Sequence, residues 1–345
     1  MVSNKRERRS SGRVTLDDVA LAAGVSRITV SRALRGDRKV APELAERAKE
    51  AANRLGYVPD PAARALASSK SSHVAILIPL LSNQLFVDLL EGVQRTLLPA
   101  GYQTLIGVTH YDVSEEEQLL RGHLLHRPAG LLVTGLERSE TTRQLITASG
   151  IPCVHLMETV VRPGMYSVGF SQREAARAIT QHLIDTGRRR IAFAAAQLDP
   201  RTLQRAQGYR ECLQQAGLYD AALEWQNPAP SSMKVGSAMF EQIMGVRPRV
   251  DAIFFCNDDL AHGGLLAALR MGIKVPRQVS IAGFNDLPGS AEFVPTLTSI
   301  KTPRYQIGVH AADMLLQLMR KEAVETPSVD LGFELVVRQS TTLHP

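Results

Sequence analysis

The 345-residue sequence is poor in several things that define large function classes. No apolar run approaches the roughly 18 residues that span a bilayer, so no membrane partner is expected. The basic start, "MVSNKRERRSSGR", is not followed by the apolar stretch of a secretory signal. Cysteine is scarce: Cys153, Cys212 and Cys256 are scattered and odd in number. That excludes a disulfide framework and points to a reducing, cytoplasmic setting. His123, His126 and His182 have no partner at metal-ligand spacing, so no metal is expected. No GxGxxG follows a strand and no GxxxxGK[ST] occurs, which removes the nucleotide-enzyme signals. No paired acid and base stands out, and no catalytic residue or cofactor is assigned.

Positive charge, by contrast, is concentrated. Residues 1–70 hold 15 Lys/Arg against 8 Asp/Glu, and the rest holds 25 against 26. A basic head on a neutral body suggests a polyanion partner. A solvated basic tail would give part of the same signal.

Within that head, "DDVALAAGVSRITVSRALRG" packs two helical patterns around Gly24. Leu16, Val19, Ala20 and Ala23 fall on one face, with Thr15 as N-cap and Asp17 and Asp18 in the first turn. Gly24 suits the left-handed position that ends a helix. Ser26 caps a second helix, Arg27 to Leu34, with Val30, Ala33 and Leu34 inward. A third, Pro42 to Leu55, offers Leu44, Ala48, Ala51 and Leu55 and stops at Gly56. This pattern predicts a helix-turn-helix. Arg27, Ile28 and Arg32 then point outward from the second helix, placed to read base edges in a major groove, with Ser26, Thr29 and Ser31 within reach of phosphate or base. An ordinary three-helix bundle with a polar face is the competing reading.

The stretch from Val14 to Ser68, "VTLDDVALAAGVSRITVSRALRG" through "ELAERAKEAANRLGYVPDPAARALAS", resembles the head of LacI-family transcription repressors. The resemblance implies DNA contacts by Thr15, Ser26, Arg27, Ile28, Thr29 and Arg32. Ala41 departs from the family's usual Ser or Thr cap, a cost of about 1 kcal/mol partly offset by Pro42. "VPDPAARALASSKSS" reads by itself equally as a flexible linker. The resemblance makes it a hinge helix that forms on DNA, with Leu66, beside Ala63, as a wedge in the minor groove. The expected domains are a disordered basic tail over 1–13, the helix-turn-helix over 14–59, the hinge over 60–72 and the body over 73–345.

From His73 the apolar runs "VAILIPL", "QTLIGVTH", "GLLVTG", "CVHLM", "RIAFAA", "AIFFC" and "VSIAGF" alternate with amphipathic helical stretches. Such alternation predicts doubly wound parallel sheets, too many strands for one lobe. The body resembles the two-lobed α/β sensor of the family, which shares its fold with periplasmic sugar-binding proteins. That implies lobe crossings near Phe170, Ile300 and Val329. The end, "RQSTTLHP", lacks a leucine-heptad tail, so a homodimer on a palindromic operator is expected.

The resemblance also implies an effector site: Ser82, Asn83 and Phe86 from "SNQLF", Arg205 from "RAQGY", Asn257 from "CNDDLA", Asn285 from "GFNDLPG", and Phe170 as an apolar floor. Asp258 and Asp286, second in their pairs, read equally as residues that satisfy loop backbone. Many neutral-sugar sensors of the family carry an aspartate where Asn285 stands. An amide there spares an anionic ligand like-charge repulsion. "LSNQLFVDLLEGV", "GYQTLIGVTHY", "HLMETV" and "DLGFEL" resemble the gluconate-operon repressors of the family. The expectation is a nucleoid-associated repressor of sugar-acid catabolism genes, released from double-stranded operator DNA by gluconate or a ketogluconate. Another sugar, a corepressor, or a carbohydrate-binding or carbohydrate-modifying protein are the alternatives.

Overall fold

The computed structural model describes residues 14–34, 36, 39–58, 71–81 and 84–342. The basic tail over 1–13 and the hinge residues Ala63 and Leu66 lie outside them. The chain divides into two compact units between Ser71 and Ser72.

The first unit is three helices: α1 (Leu16–Ala23), α2 (Arg27–Leu34) and α3 (Pro42–Leu55). Thr15 and Asp18 form a reciprocal capping box at the start of α1. Gly24 closes it in the left-handed conformation, φ 62°. A Cβ there would also press on Arg47, whose Nη2 donates to the Ala23 carbonyl at 2.7 Å. A cation therefore sits at the negative end of the α1 dipole. At α3, Ala41 makes no side-chain cap and Pro42 takes the first position, as the sequence implies. The core is built of small residues: Val19, Ala20, Ala23, Val30, Ala33, Ala48, Ala51 and Ala52. Ala45, not Leu44, packs against it from the first turn of α3.

The second unit carries two parallel-rich sheets. The first lobe contains β1 (His73–Ile78), α4 (Gln84–Leu97), β2 (Gln103–Val108), α5 (Val113–Leu125), β3 (Gly130–Thr134), α6 (Glu140–Ser149), β4 (Cys153–Leu156) and β5 (Tyr166–Gly169). The second contains α7 (Gln172–Asp185), β6 (Ile191–Ala196), α8 (Pro200–Gln215), β7 (Glu224–Asn227), α9 (Met233–Gly245), β8 (Ala252–Phe255), α10 (Asp258–Arg270), β9 (Ser280–Asn285) and β10 (Thr298–Lys301). Then α11 (Arg304–Met319) and β11 (Ser328–Asp330) return to the first lobe, and β12 (Glu334–Val336) to the second. The chain thus passes between sheets at 170–171, 302–303 and 331–333. Phe170 sits at the first passage, whereas Ile300 and Val329 lie inside the strands that precede the other two.

Strand order is β11-β5-β4-β3-β1-β2 in one sheet and β12-β10-β9-β8-β6-β7 in the other. All pairs are parallel except β10 with β12. Alternate residues of β1 enter different cores. Val74, Ile76 and Ile78 join the main one, and Ala75 and Leu77 join a second with Leu120 and Leu131. Both faces of the sheet are therefore covered, as continuous apolar strands require. Strand order reverses between β1 and β3, and between β6 and β8. Ligands of such sheets bind beyond the strand C-termini at these switch points.

Candidate functional sites

On the head, Val30 is fully buried while Ile28 on the same helix is 65% exposed. Arg27 and Arg32 are exposed with it. The hydroxyls have local duties. Thr15 Oγ1 donates to Asp18 at 2.7 Å, and the Ser26 and Thr29 hydroxyls bond each other at 2.8 Å. Ser26 Oγ also accepts from the Thr29 amide. Arg27 Nε stands 3.7 Å from Asp17, both well exposed, a pair weak enough to yield to another anion.

On the body, a cavity of about 300 Å³ lies at the C-terminal ends of the strands. It brings together Arg205, Asn257 and Asn285, which the sequence singles out, with Tyr111, Arg201 and Asp259, which it does not. Ser82 and Asn83 lie outside the described residues. Phe86 is fully buried in the first lobe's core and is not among the described residues that line this cavity. Neither is Phe170. It stacks on Phe284 with ring centroids 6.3 Å apart, and Phe284 in turn carries the Arg205 guanidinium 3.9 Å from its centroid. Phe170 is thus one layer below the floor.

Arg205 is held on three sides. Nε donates to Gln172 Oε1 at 2.9 Å and Nη1 to the Cys256 carbonyl at 2.7 Å. It is 6% exposed, and burial pulls its pKa below the ordinary arginine value. No carboxylate pairs with it among the described residues. Arg201, one turn earlier on α8, is paired: Nε meets Asp199 at 3.2 Å. Burial opposes that charge most strongly, but Asp199, Tyr111 and Glu158 together offset it and the pKa stays raised. The sequence signal for Arg201 is its i, i+4 spacing from Arg205, which places both on one helix face.

Asn285 closes β9 at φ 110°, and its buried Oδ1 has no hydrogen-bond partner among the described residues. A residue strained into left-handed backbone with an orphaned acceptor is what a ligand-binding position looks like. Asn257 has prior commitments. Oδ1 accepts from the Leu260 amide and from Ser231, and Nδ2 donates to Ser231 Oγ. Asp258 is wholly structural. It is fully buried and accepts from Leu287 N, Ser290 Oγ and Ser299 Oγ. Asp286 pairs with Arg338 at 2.6 Å. Two carboxylates reach the cavity: Asp199, paired with Arg201, and Asp259, whose pKa is pushed up by burial and then by Asp258.

Tyr111 follows His110 in a loop where both have positive φ, 47° and 60°. This turn brings its ring to the cavity wall and 5.8 Å below the Arg201 guanidinium. Tyr111 and Arg201 also border a second hollow in the first lobe, with Glu116, Arg138 and Glu158. Nearby, His262 Nε2 meets Ser290 Oγ at 3.0 Å. Here the carboxylate of Asp258 accepts from the serine itself, and the serine is fully buried. That geometry activates no nucleophile. Among the described residues no cluster of His, Cys, Asp and Glu is arranged to hold a metal ion, and no helix is long and apolar enough to cross a membrane.

Two family models match the chain: bacterial regulatory proteins of the lacI family over residues 15–60, and a periplasmic binding protein-like domain over 180–341. The HTH-type transcriptional regulator GntR of Pseudomonas aeruginosa is 52% identical over 99% of both chains. A crystal structure of the transcription regulator GntR from Chromobacterium violaceum is 47% identical, with TM-score 0.76 over 78% of this chain and 99% of that one. A LacI-family regulator from Silicibacter pomeroyi aligns at TM-score 0.88, 34% identical, over 95% and 99%. The chain therefore belongs to the LacI family of bacterial regulatory proteins.

Proposed function

We propose that a sugar acid, gluconate or a ketogluconate, is the effector that releases this DNA-binding transcriptional repressor from its operator. The observation that carries this reading is Arg205: a desolvated guanidinium on the cavity wall with no carboxylate partner among the described residues. Burying a cation is expensive, and the nearby charge of Asp199 does not offset it here. A ligand carboxylate supplies that charge and takes the remaining N–H groups in a charge-assisted bond. Asn285 Oδ1 and Asp259 accept from hydroxyls, so the cavity suits a polyhydroxy chain with an acid at one end.

On DNA, a homodimer reads a palindromic operator. Arg27 forks onto a guanine and Ile28 covers a thymine methyl, while Leu66 wedges the minor groove from outside the described residues. The second copy covers the apolar patch of Leu266, Leu269 and Val294, which stand 38%, 72% and 87% exposed around a shallow hollow beside Phe293. Effector binding closes the lobes and lowers operator affinity, and operator lowers effector affinity by the same factor. The regulator works on the nucleoid, in the cytoplasm, and senses its ligand without transforming it.

Operator gel shifts with gluconate, ketogluconates and glucose test this. Release by the acids and not by glucose is the expected outcome. Equal release by glucose rules out the sugar-acid assignment, and tighter binding makes the acid a corepressor.

A further inference from the structure

Arg304 is the first residue of α11, directly after the second passage between lobes. Its guanidinium is buried and reaches both lobes. Nη1 donates to the main-chain carbonyl of Asn285, at the end of β9 in the second lobe, and to Thr302 Oγ1. Nε and Nη2 each stand 2.9 Å from Asp88 Oδ2, on α4 of the first lobe. The residue whose side-chain oxygen is orphaned in the cavity is therefore the residue whose carbonyl this arginine holds.

The first-lobe side of the clamp is stiff. Where α4 and α11 cross, Gly92 and Gly308 let the backbones touch. A Cβ on Gly92 would run into the Tyr305 carbonyl oxygen, and one on Gly308 into that of Leu89. Helices in backbone contact move as one body, because no side-chain layer between them can shear. A displacement at Asn285 thus reaches Arg304, then Asp88, then the α4/α11 pair, through one charged side chain.

We propose that the Asn285–Arg304–Asp88 clamp transmits occupancy of the cavity to the first lobe, with Arg304 and Asp88 as positioning residues that touch no ligand. The proposal rests on the cavity being the effector site. A ligand hydroxyl on Asn285 Oδ1 relieves the orphaned acceptor and reorients that strained peptide. The carbonyl then pulls Arg304, and both helices follow. Coupling of this kind needs a contiguous connection that both ends bias, and the clamp is one.

Asp88→Asn tests it, since it removes the charge and keeps the shape at a residue away from the cavity wall. In the full-length protein, gluconate Kd by calorimetry should change less than threefold. The gluconate-induced loss of operator affinity should shrink at least tenfold, and Asp88→Glu should restore it. A wild-type response in Asp88→Asn overturns the proposal, as does a parallel loss of gluconate binding. Hydrogen exchange without ligand is the second arm. The amides of Asp286 and Leu287, which donate to Ser299 and Asp258, should exchange at least tenfold faster in Asp88→Asn. Unchanged exchange at both overturns the clamp. If no acid releases the unsubstituted protein, the effector reading falls, and the exchange arm alone decides the clamp.

Discussion

The proposed preference for an acid rests on Arg205 and Asn285. One is a buried cation with no carboxylate paired to it among the described residues; the other is an uncharged acceptor held at positive φ. Arg205→Ala should lower gluconate affinity at least a hundredfold, because the ligand carboxylate would keep only Arg201, whose charge is already taken by Asp199. Asn285→Asp should weaken gluconate tenfold or more and leave glucose unchanged or improved, because it sets like charge beside the acid. Calorimetry with gluconate, a ketogluconate and glucose on all three proteins separates these effects; equal weakening of acid and sugar by Asn285→Asp would refute the charge argument. A buried histidine contributes to the response to acid. His155 is buried on β4, where Nδ1 donates to the Gly135 carbonyl at 3.1 Å. Burial, then the Arg138 charge, pull its pKa to about 4. The unfolded chain takes up that proton near the ordinary value of about 6.5 while the folded one does not. Stability is therefore intact above about pH 6.5 and falls as pH drops towards about 4. The loss from this group is at most about 1.4 kcal/mol per pH unit. Urea midpoints at pH 7.5 and 5 should differ less in His155→Asn than in the unsubstituted protein.

Elements carry the next layer. The helices of the head were legible because each cap, apolar face and stop lies within a few residues of the next. Thr15, Gly24 and Gly56 do in the structure what their positions imply. The seven long apolar runs all became strands. The five strands without such runs did not announce themselves. β7 reads Glu-Trp-Gln-Asn, and β5, β10, β11 and β12 have three or four residues. A strand that short is stabilised by its neighbours in the sheet, so its own residues need show no period. The crossing of α4 and α11 makes a comparable demand on two glycines far apart in sequence. Gly92→Ala should cost about 1–3 kcal/mol, the range for overpacking a tight core, because the added methyl meets backbone that cannot rotate away. A drop in Tm at unchanged fold by circular dichroism is the expected result, and an unchanged Tm would mean the helices part easily.

The molecule as a whole joins a basic helical head to a nearly neutral body. The proposed homodimer would read both halves of a palindrome, and the exposed apolar patch of Leu266, Leu269 and Val294 is its proposed interface. Leu269→Glu, which sets a charge in that patch, should shift the protein to monomer in sedimentation and lower operator affinity at least a hundredfold, with gluconate affinity nearly unchanged. A dimer that survives this substitution would move the interface elsewhere.

Sequence by itself determined what depends on near neighbours: the three head helices and their caps, the basic excess of the first 70 residues and the buried strands; Arg205, Asn257 and Asn285 entered through the family resemblance. Local period says which way a side chain points from its own helix or strand. It says nothing of what stands opposite, which is set by sheet order and by helices from distant parts of the chain. Only the tertiary structure decided that Asp259, and not Asp258, meets the cavity, because Leu287, Ser290 and Ser299 close around Asp258 from residues 29 to 41 positions away. The same long-range packing buried Phe86 and Phe170, set Arg201 and Tyr111 on the wall, and put Arg304 against Asp88 across 216 residues.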